Sequence, residues 1–224
     1  MKVILTAVTQ DAVDNCERAA ATCYDSQPSE DGRIIKSCAR SGHLSVWEHM
    51  NFTFRVDGIS RACMAQFTRH RLASFSVRSQ RYCNESGFGV VIPPSIAHKD
   101  LPRQTFNNFI ENARNVYNYL VDSGVPPEDA RYVLPNACET ELTVTMNARE
   151  LMHFCNERLC TRAQWEIREL AGLMAEAAIS EVPEIAPFLV PKCERYADYP
   201  FCPERQGCGR HPKLSEVYHD ESAD

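Results

Sequence analysis

No stretch of this 224-residue chain is apolar for long enough to cross a bilayer as a helix. The opening MKVILTAVTQDAVD has one lysine and a short apolar run, then turns polar; it lacks a signal-peptide core and cleavage site. A cytoplasmic protein without membrane contact is expected. Positive charge is not in excess either: 24 Lys and Arg against 30 Asp and Glu leave a net charge of -6. Such a balance argues against a nucleic-acid partner, which needs a basic face. Neither G-x-G-x-x-G nor a P-loop follows a strand, so any bound nucleotide must be held by side chains. Internal repeats and low-complexity linkers are absent as well.

What is present is enough apolar residue, 44%, to fill a core. One domain over residues 1–192 is expected, followed by a Cys-rich tail over 193–224. Cysteine is plentiful at eleven, an odd number. Thiols of a cytosolic protein stay reduced, and Cys16, Cys23, Cys38, Cys63, Cys138, Cys155 and Cys160 lie in apparent helices and strands. They read as small hydrophobes filling the interior.

MKVILTAV reads as a first strand. Thr9 is expected to cap a helix through QDAVDNCERAAATCY, and Ser29 a second helix ended by Gly42. HMNFTFRVDGIS alternates, with Phe52, Phe54 and Val56 on one face, as a half-buried strand does. SRACMAQFTRHR then reads as a helix turning Cys63 and Phe67 inward and ending at Arg69 and His70. A long amphipathic helix runs to Gly124, and prolines open the next at PPEDARYVL. ETELTVTMN alternates again. Asn147 with Glu150 three residues on forms a capping-box pattern, so ARELMHFCNERL is a helix, and RAQWEIRELAGLMAEAAISEV is another. Both clear strands bury one face only. This favours an α+β fold with a mainly antiparallel, twisted sheet flanked by helices over a doubly wound parallel sheet.

The densest chemistry lies in RHRLASFSVRSQRY, residues 69–82. Arg69, His70, Arg71, Arg78 and Arg81 are interleaved with Ser74, Ser76 and Ser79. Gln66 and Arg69 share a helix face, and Ser79 and Arg81 share a face of an expected extended segment. Guanidinium forks and hydroxyls suit phosphate. Taken alone, RHR would be a solvated turn pairing with acidic neighbours.

The whole stretch resembles the signature of the flavin-dependent thymidylate synthases, R-H-R-x-x-S-x-N-E-x-S-x-R-Y, at Arg69, His70, Arg71, Ser74, Ser79, Arg81 and Tyr82. It departs at Ser76, where many members have Asn, and at Val77, where many have Glu. SGHLSVWEHMNFTF, ARYVLP, NAREL and CTRAQWEIRE resemble further blocks of the same family, covering residues 41 to 172.

The resemblance implies conversion of dUMP to dTMP, with methylenetetrahydrofolate as one-carbon donor and FAD, reduced by NADPH, as hydride source. It implies a homotetramer whose active sites are each built from more than one subunit. Carried over position by position, dUMP would meet Gln66, Arg69, Arg78, Ser79, Gln80, Arg81, Arg131 and Arg158. FAD would meet Ser45, Arg69, His70, Arg71, Val77, Asn147, Arg149 and His153. Arg158 takes the catalytic role beside the uracil edge, where a permanent cation stabilises negative charge developing on the ring. Hydride chemistry belongs to the flavin. Read without the family, Arg158 is surface helix charge, Arg131 an ion-pair partner of Glu128 or Asp129, and Glu48 structural. Cys83 follows QRY directly, but the family's chemistry needs no enzyme nucleophile.

CERYADYPFCPERQGCGRH carries Cys193, Cys202, Cys208 and His211. Three thiols and an imidazole suit tetrahedral zinc, but paired C-x-x-C spacing is missing, and no metal is assigned. Two rival readings stand beside the enzyme. One is a flavin- or nucleotide-binding regulator on the same scaffold, with Ser76 and Val77 marking lost activity. The other is an RNA-binding module, against which the acidic balance and the lack of an RNP-type aromatic motif count.

Overall fold

The structure, a computed structural model, describes residues 1–196 and 198–217. Four strands form one open antiparallel sheet: β1 (Lys2–Val8), β2 (Asn51–Ser60), β3 (Ala73–Val77) and β4 (Glu139–Asn147), in the order β1-β2-β4-β3. Nine helices stand among the described residues: α1 (Ala12–Cys23), α2 (Arg33–Arg40), α3 (Arg61–Phe67), α4 (Pro94–Ala97), α5 (Asp100–Asp122), α6 (Pro127–Ala130), α7 (Ala148–Arg158), α8 (Trp165–Glu181) and α9 (Leu214–Val217). The expected α+β fold with an antiparallel sheet is the one observed.

The alternation in β2 and β4 works as read. Phe52, Phe54 and Val56 are buried on one strand, and Leu142, Val144 and Met146 on the other. On the polar face of these strands, Thr53 and Thr145 share a hydroxyl hydrogen bond of 2.9 Å.

The chain forms two compact units. One comprises Met1–Lys2, Val56–Arg69 and Phe75–Thr143. Its small core of Phe88, Ile110, Ala113 and Cys138 is built on α5, with Val90, Phe106 and Leu134 packed against it. The other comprises Val3–Arg55, His70–Ser74 and the chain from Val144 on. There α7 packs against α8 and against a 3-10 turn over Ser45–His49, which also packs on α1. Trp47 of that turn is fully buried; its indole N–H donates to the Ile35 carbonyl at 3.1 Å, and its ring meets Phe188 edge-on.

Several local expectations are corrected. Thr9 does not cap α1: its hydroxyl accepts from the Asn51 amide, and Asp11 in a left-handed conformation precedes the helix. Ser29 does not cap α2. Its amide and hydroxyl both donate to the buried Glu17 carboxylate, at 3.1 and 2.7 Å, and the Ile35 amide donates to the other carboxylate oxygen at 2.9 Å. Glu17 therefore anchors the α2 start, and Gly32 at φ 69 makes the entry turn. Helix α3 stops at Phe67, short of Arg69 and His70, but Ser60 does cap it by accepting from the Cys63 amide. The Ser79–Arg81 segment is a turn: Ser79 Oγ accepts from the Arg81 amide at 3.2 Å and its carbonyl from the Cys83 amide at 3.0 Å. Of the seven cysteines read as filler, Cys16, Cys63, Cys138 and Cys155 are buried, whereas Cys23 is exposed and Cys38 and Cys160 half-buried.

Candidate active site

In the second unit, α7 carries the site. Asn147 caps it, its side-chain oxygen accepting from the Glu150 amide at 2.9 Å. Only half of the capping box forms, because the Glu150 carboxylate turns to His70. One helical turn separates Glu150 from Phe154 and the next brings Arg158 into line, so all three share a face. His70, only 5% exposed, lies against that face, its ring meeting Phe154 edge-on with centroids 4.9 Å apart. Nδ1 of His70 lies 3.2 Å from Glu150 Oε1, and its Nε2 lies 3.0 Å from Arg158 Nε.

That geometry dictates the tautomer. Arg158 Nε–H only donates, so His70 Nε2 must accept; Nδ1 then carries the proton and donates to the carboxylate. The electrostatics agree. Burial, then the Arg158 guanidinium, then His153 push the His70 pKa down from 6.5 to about 4, so the ring is neutral at physiological pH. Burial raises the Glu150 carboxyl, against a smaller lowering by His153. Glu150, His70 and His153 hold potential metal-donor atoms within 4.8 Å of one another, but the His70 ring nitrogens are already engaged.

The remaining expected flavin contacts of this unit are more open. Ser45 and Arg71 are exposed, and His153 stands exposed 5.5 Å from the His70 ring. Arg149 is committed to Glu48 at 2.6 Å, which gives Glu48 the structural part expected of it.

In the first unit, Glu128 gathers two arginines. Its carboxylate pairs with Arg81 Nε, and its backbone carbonyl accepts from Arg131 Nε at 2.9 Å. Arg81 and Arg131, fifty residues apart, are thus brought together at the start of α6. Arg78 is spent within the unit, on Glu85 at 3.1 Å and Glu141 at 3.5 Å. Gln80 reaches Cys138 Sγ at 3.7 Å, and Gln66 reaches the carbonyl of Ala62 on its own helix at 3.4 Å. Arg69 is exposed just past α3, and Val77 closes β3 half-buried. An open cleft of about 400 Å³ in this unit is lined by Asp57, Glu85, Glu139 and Glu141 with only Arg78 as cation. It is the wrong sign for a phosphate. The buried thiol nearest these groups, Cys138, is pushed up to about 11, chiefly by burial, which leaves it inert as a nucleophile at neutral pH.

The model of the family described as thymidylate synthase complementing protein matches residues 4–184. A flavin-dependent thymidylate synthase of Geobacter sulfurreducens is 40% identical over 99% of this chain and 100% of its own length. The chain belongs to the flavin-dependent thymidylate synthases. A flavin-dependent thymidylate synthase of Nitratidesulfovibrio vulgaris is 43% identical over 82% of this chain and 78% of its own. That of Clostridium tetani is 36% identical over 97% of each. Among solved structures, the flavin-dependent thymidylate synthase ThyX of Helicobacter pylori, complexed with FAD and dUMP, superposes with a TM-score of 0.70. It is 26% identical, covering 85% of this chain and 100% of that one. These likenesses speak for the enzyme and not for the regulator reading.

Family motifs led to the arginines and to His70 but not to their carboxylate partners. Glu150 was legible only as a helix cap, Glu128 only as a possible pair for Arg131, and Glu85 not at all. Their signal lies in contacts across 80, 47 and 7 residues, with no local pattern.

Proposed function

We propose that the chain converts dUMP to dTMP, taking the one-carbon unit from methylenetetrahydrofolate and using FAD reduced by NADPH. The observation that carries this reading is the fixed guanidinium of Arg158, held through Nε by a buried, neutral histidine that a carboxylate holds in turn. A guanidinium aimed this way keeps its terminal nitrogens for the ligand. At the uracil edge it stabilises the negative charge that makes carbon 5 nucleophilic, without gaining or losing a proton itself. The reduced flavin, when bound, supplies the hydride that completes the methyl group.

The donor set suits these anionic ligands. Side chains of Arg69 and Arg71 are exposed and make no hydrogen bond or ion pair among the described residues, so they are open to phosphate oxygens. Arg81 and Arg131, gathered at Glu128, with Ser79 in the adjoining turn, form the phosphate shell of dUMP; Arg78 and Gln80 contribute through the backbone, and Gln66 adds an amide. Ser45, Asn147, Arg149 and His153 serve FAD. For His70 the contact is edge or face rather than a ring-nitrogen hydrogen bond, because both nitrogens are in use. Val77 replaces a carboxylate, so its contribution is through its backbone alone.

Residues 1–192 act as the catalytic part and the tail from 193 as an appendage. Among the described residues no helix is long and apolar enough to cross a membrane, and we place the enzyme in the cytoplasm. It works as a homotetramer sharing its sites. Leu72, Tyr82 and Tyr132, each next in sequence to a ligand arginine, are 68%, 77% and 83% exposed in the single chain. Apolar surface beside charged ligand groups is what a neighbouring subunit covers.

Tritium release from carbon 5 of labelled dUMP tests the reaction: it is expected only with methylenetetrahydrofolate and a reduced flavin. Arg158→Ala should abolish release and leave FAD absorbance in place. Normal release by that variant would refute the role given to Arg158.

A further inference from the structure

The tail poses a physical problem that the catalytic reading leaves untouched. Among described residues 193–217, the only buried ones are Cys193 and Cys202, each 9% exposed. The rest is mostly proline, glycine and polar or charged side chains, with Phe201 half-buried against Tyr196 and with Tyr196, Tyr199, Leu214 and Val217 exposed. A segment this poor in buried apolar surface has little to offset the entropy of ordering it. Yet it folds back on itself: the Phe201 amide donates to the Cys193 carbonyl at 3.1 Å, the Cys202 amide to the Pro212 carbonyl at 2.7 Å, and Cys202 bridges to Lys213.

What lies at its centre is sulfur. Cys160, from the loop after α7, joins Cys193, Cys202 and Cys208 in lining one cavity of about 20 Å³. All four thiols are free. We propose that this cavity is a structural zinc site with these four cysteines as ligands, tying the tail to the loop between α7 and α8. Four thiolates suit tetrahedral zinc, and a closed set of four protein ligands marks a structural site. The volume is that of a single ion or water. Four thiolates on a dication leave two negative charges; Arg162, Lys192 and Arg210 line the same cavity, with Lys192 paired to Glu204 of that lining and Arg210 to Glu194.

A competing donor set exists. Cys193, Glu194 and His211 already hold their donor atoms within 4.8 Å of one another, a closeness the four sulfurs do not share. But Glu194 Oε1 serves Arg210 at 2.7 Å and His211 at 3.2 Å, so that carboxylate is charge-paired. Zinc loading is thus expected to draw the thiols inward, coupling metal binding to the ordering of the tail.

The test uses untagged full-length protein purified under reducing conditions. Elemental analysis should find one zinc per chain that survives dialysis against EDTA at neutral pH. Cobalt exchanged for zinc should give the intense visible and thiolate charge-transfer bands of a tetrahedral all-thiolate site. Cys160→Ser should lower retention against a competing chelator at least tenfold and weaken those bands, whereas Cys63→Ser and His211→Ala should change neither. Zinc absent or stripped by dialysis, tail thiols found as disulfides or reacting freely in the folded protein, or a cobalt spectrum indifferent to Cys160→Ser but lost in His211→Ala would overturn the proposal. Should Cys160→Ser fail to fold, the cobalt spectrum of the unaltered protein still decides the ligand set.

Discussion

His70 ties folding stability to the aim of the Arg158 guanidinium. Its folded pKa near 4 lies below the unfolded value of 6.5. A group depressed in this way contributes stability that is complete above pH 6.5 and is lost as pH falls toward 4, because only the unfolded chain takes up the proton. Glu150, raised by burial, works in the opposite sense within the same window, above its ordinary 4.5, where falling pH relieves the cost of its buried charge. The comparison that isolates His70 is therefore wild type against His70→Gln. Denaturant titrations at pH 7 and pH 4.5 should show the wild type losing about 2 kcal/mol more than the variant; equal losses would mean the ring is not held neutral. His70→Leu, which offers Arg158 no acceptor, leaves that guanidinium charged but unaimed. We expect kcat to fall about 100-fold, as for a reacting group displaced by an ångström, with a smaller rise in KM for dUMP. Arg81→Ala, by contrast, should act on binding, weakening dUMP by about 1.5–3 kcal/mol as loss of a charge-assisted contact does, read by isothermal titration. Arg158 and Arg81 were legible as candidates because the RHR stretch and the CTRAQWEIRE block lie beside them. The His70 relay was not, since its partners lie 80 and 88 residues away.

At the scale of elements, local chemistry was readable wherever it acted alone. Alternation placed β2 and β4, the Asn147 cap started α7, and Gly124 at φ 87 ended α5. Asn147→Ala should cost about 1 kcal/mol in denaturant unfolding, the usual worth of a cap. The two misread caps share one cause: a long-range hydrogen-bond partner displaced the local one. Glu17 draws in the Ser29 amide and hydroxyl and the Ile35 amide, so Ser29 never caps α2. Thr9 is likewise drawn to the Asn51 amide. Replacing Glu17 by Ala strands buried donors and should destabilise by about 3 kcal/mol or more, well beyond the loss of an exposed cap; a change under about 1 kcal/mol would contradict this anchoring role.

For the whole molecule, the acidic chain is a local-charge protein: its cations matter where they cluster, not in sum. Sequence blocks gave the family because RHR, ARYVLP and NAREL keep their order and spacing, while the assembly left no periodic trace. The exposed Leu72, Tyr82 and Tyr132 predict that the active form is multimeric. Sedimentation should find a tetramer, and Tyr132→Asp should yield a smaller species with lost turnover; a monomer active at full rate would contradict the sharing of sites. The account as a whole rests on one flavin lying against one pyrimidine, and the absorbance spectrum of the purified protein with and without dUMP tests that most directly. The expected result is a yellow protein whose flavin bands shift saturably on adding dUMP. A colourless protein that cannot be loaded with FAD, or flavin bands unmoved at saturating dUMP, would contradict it.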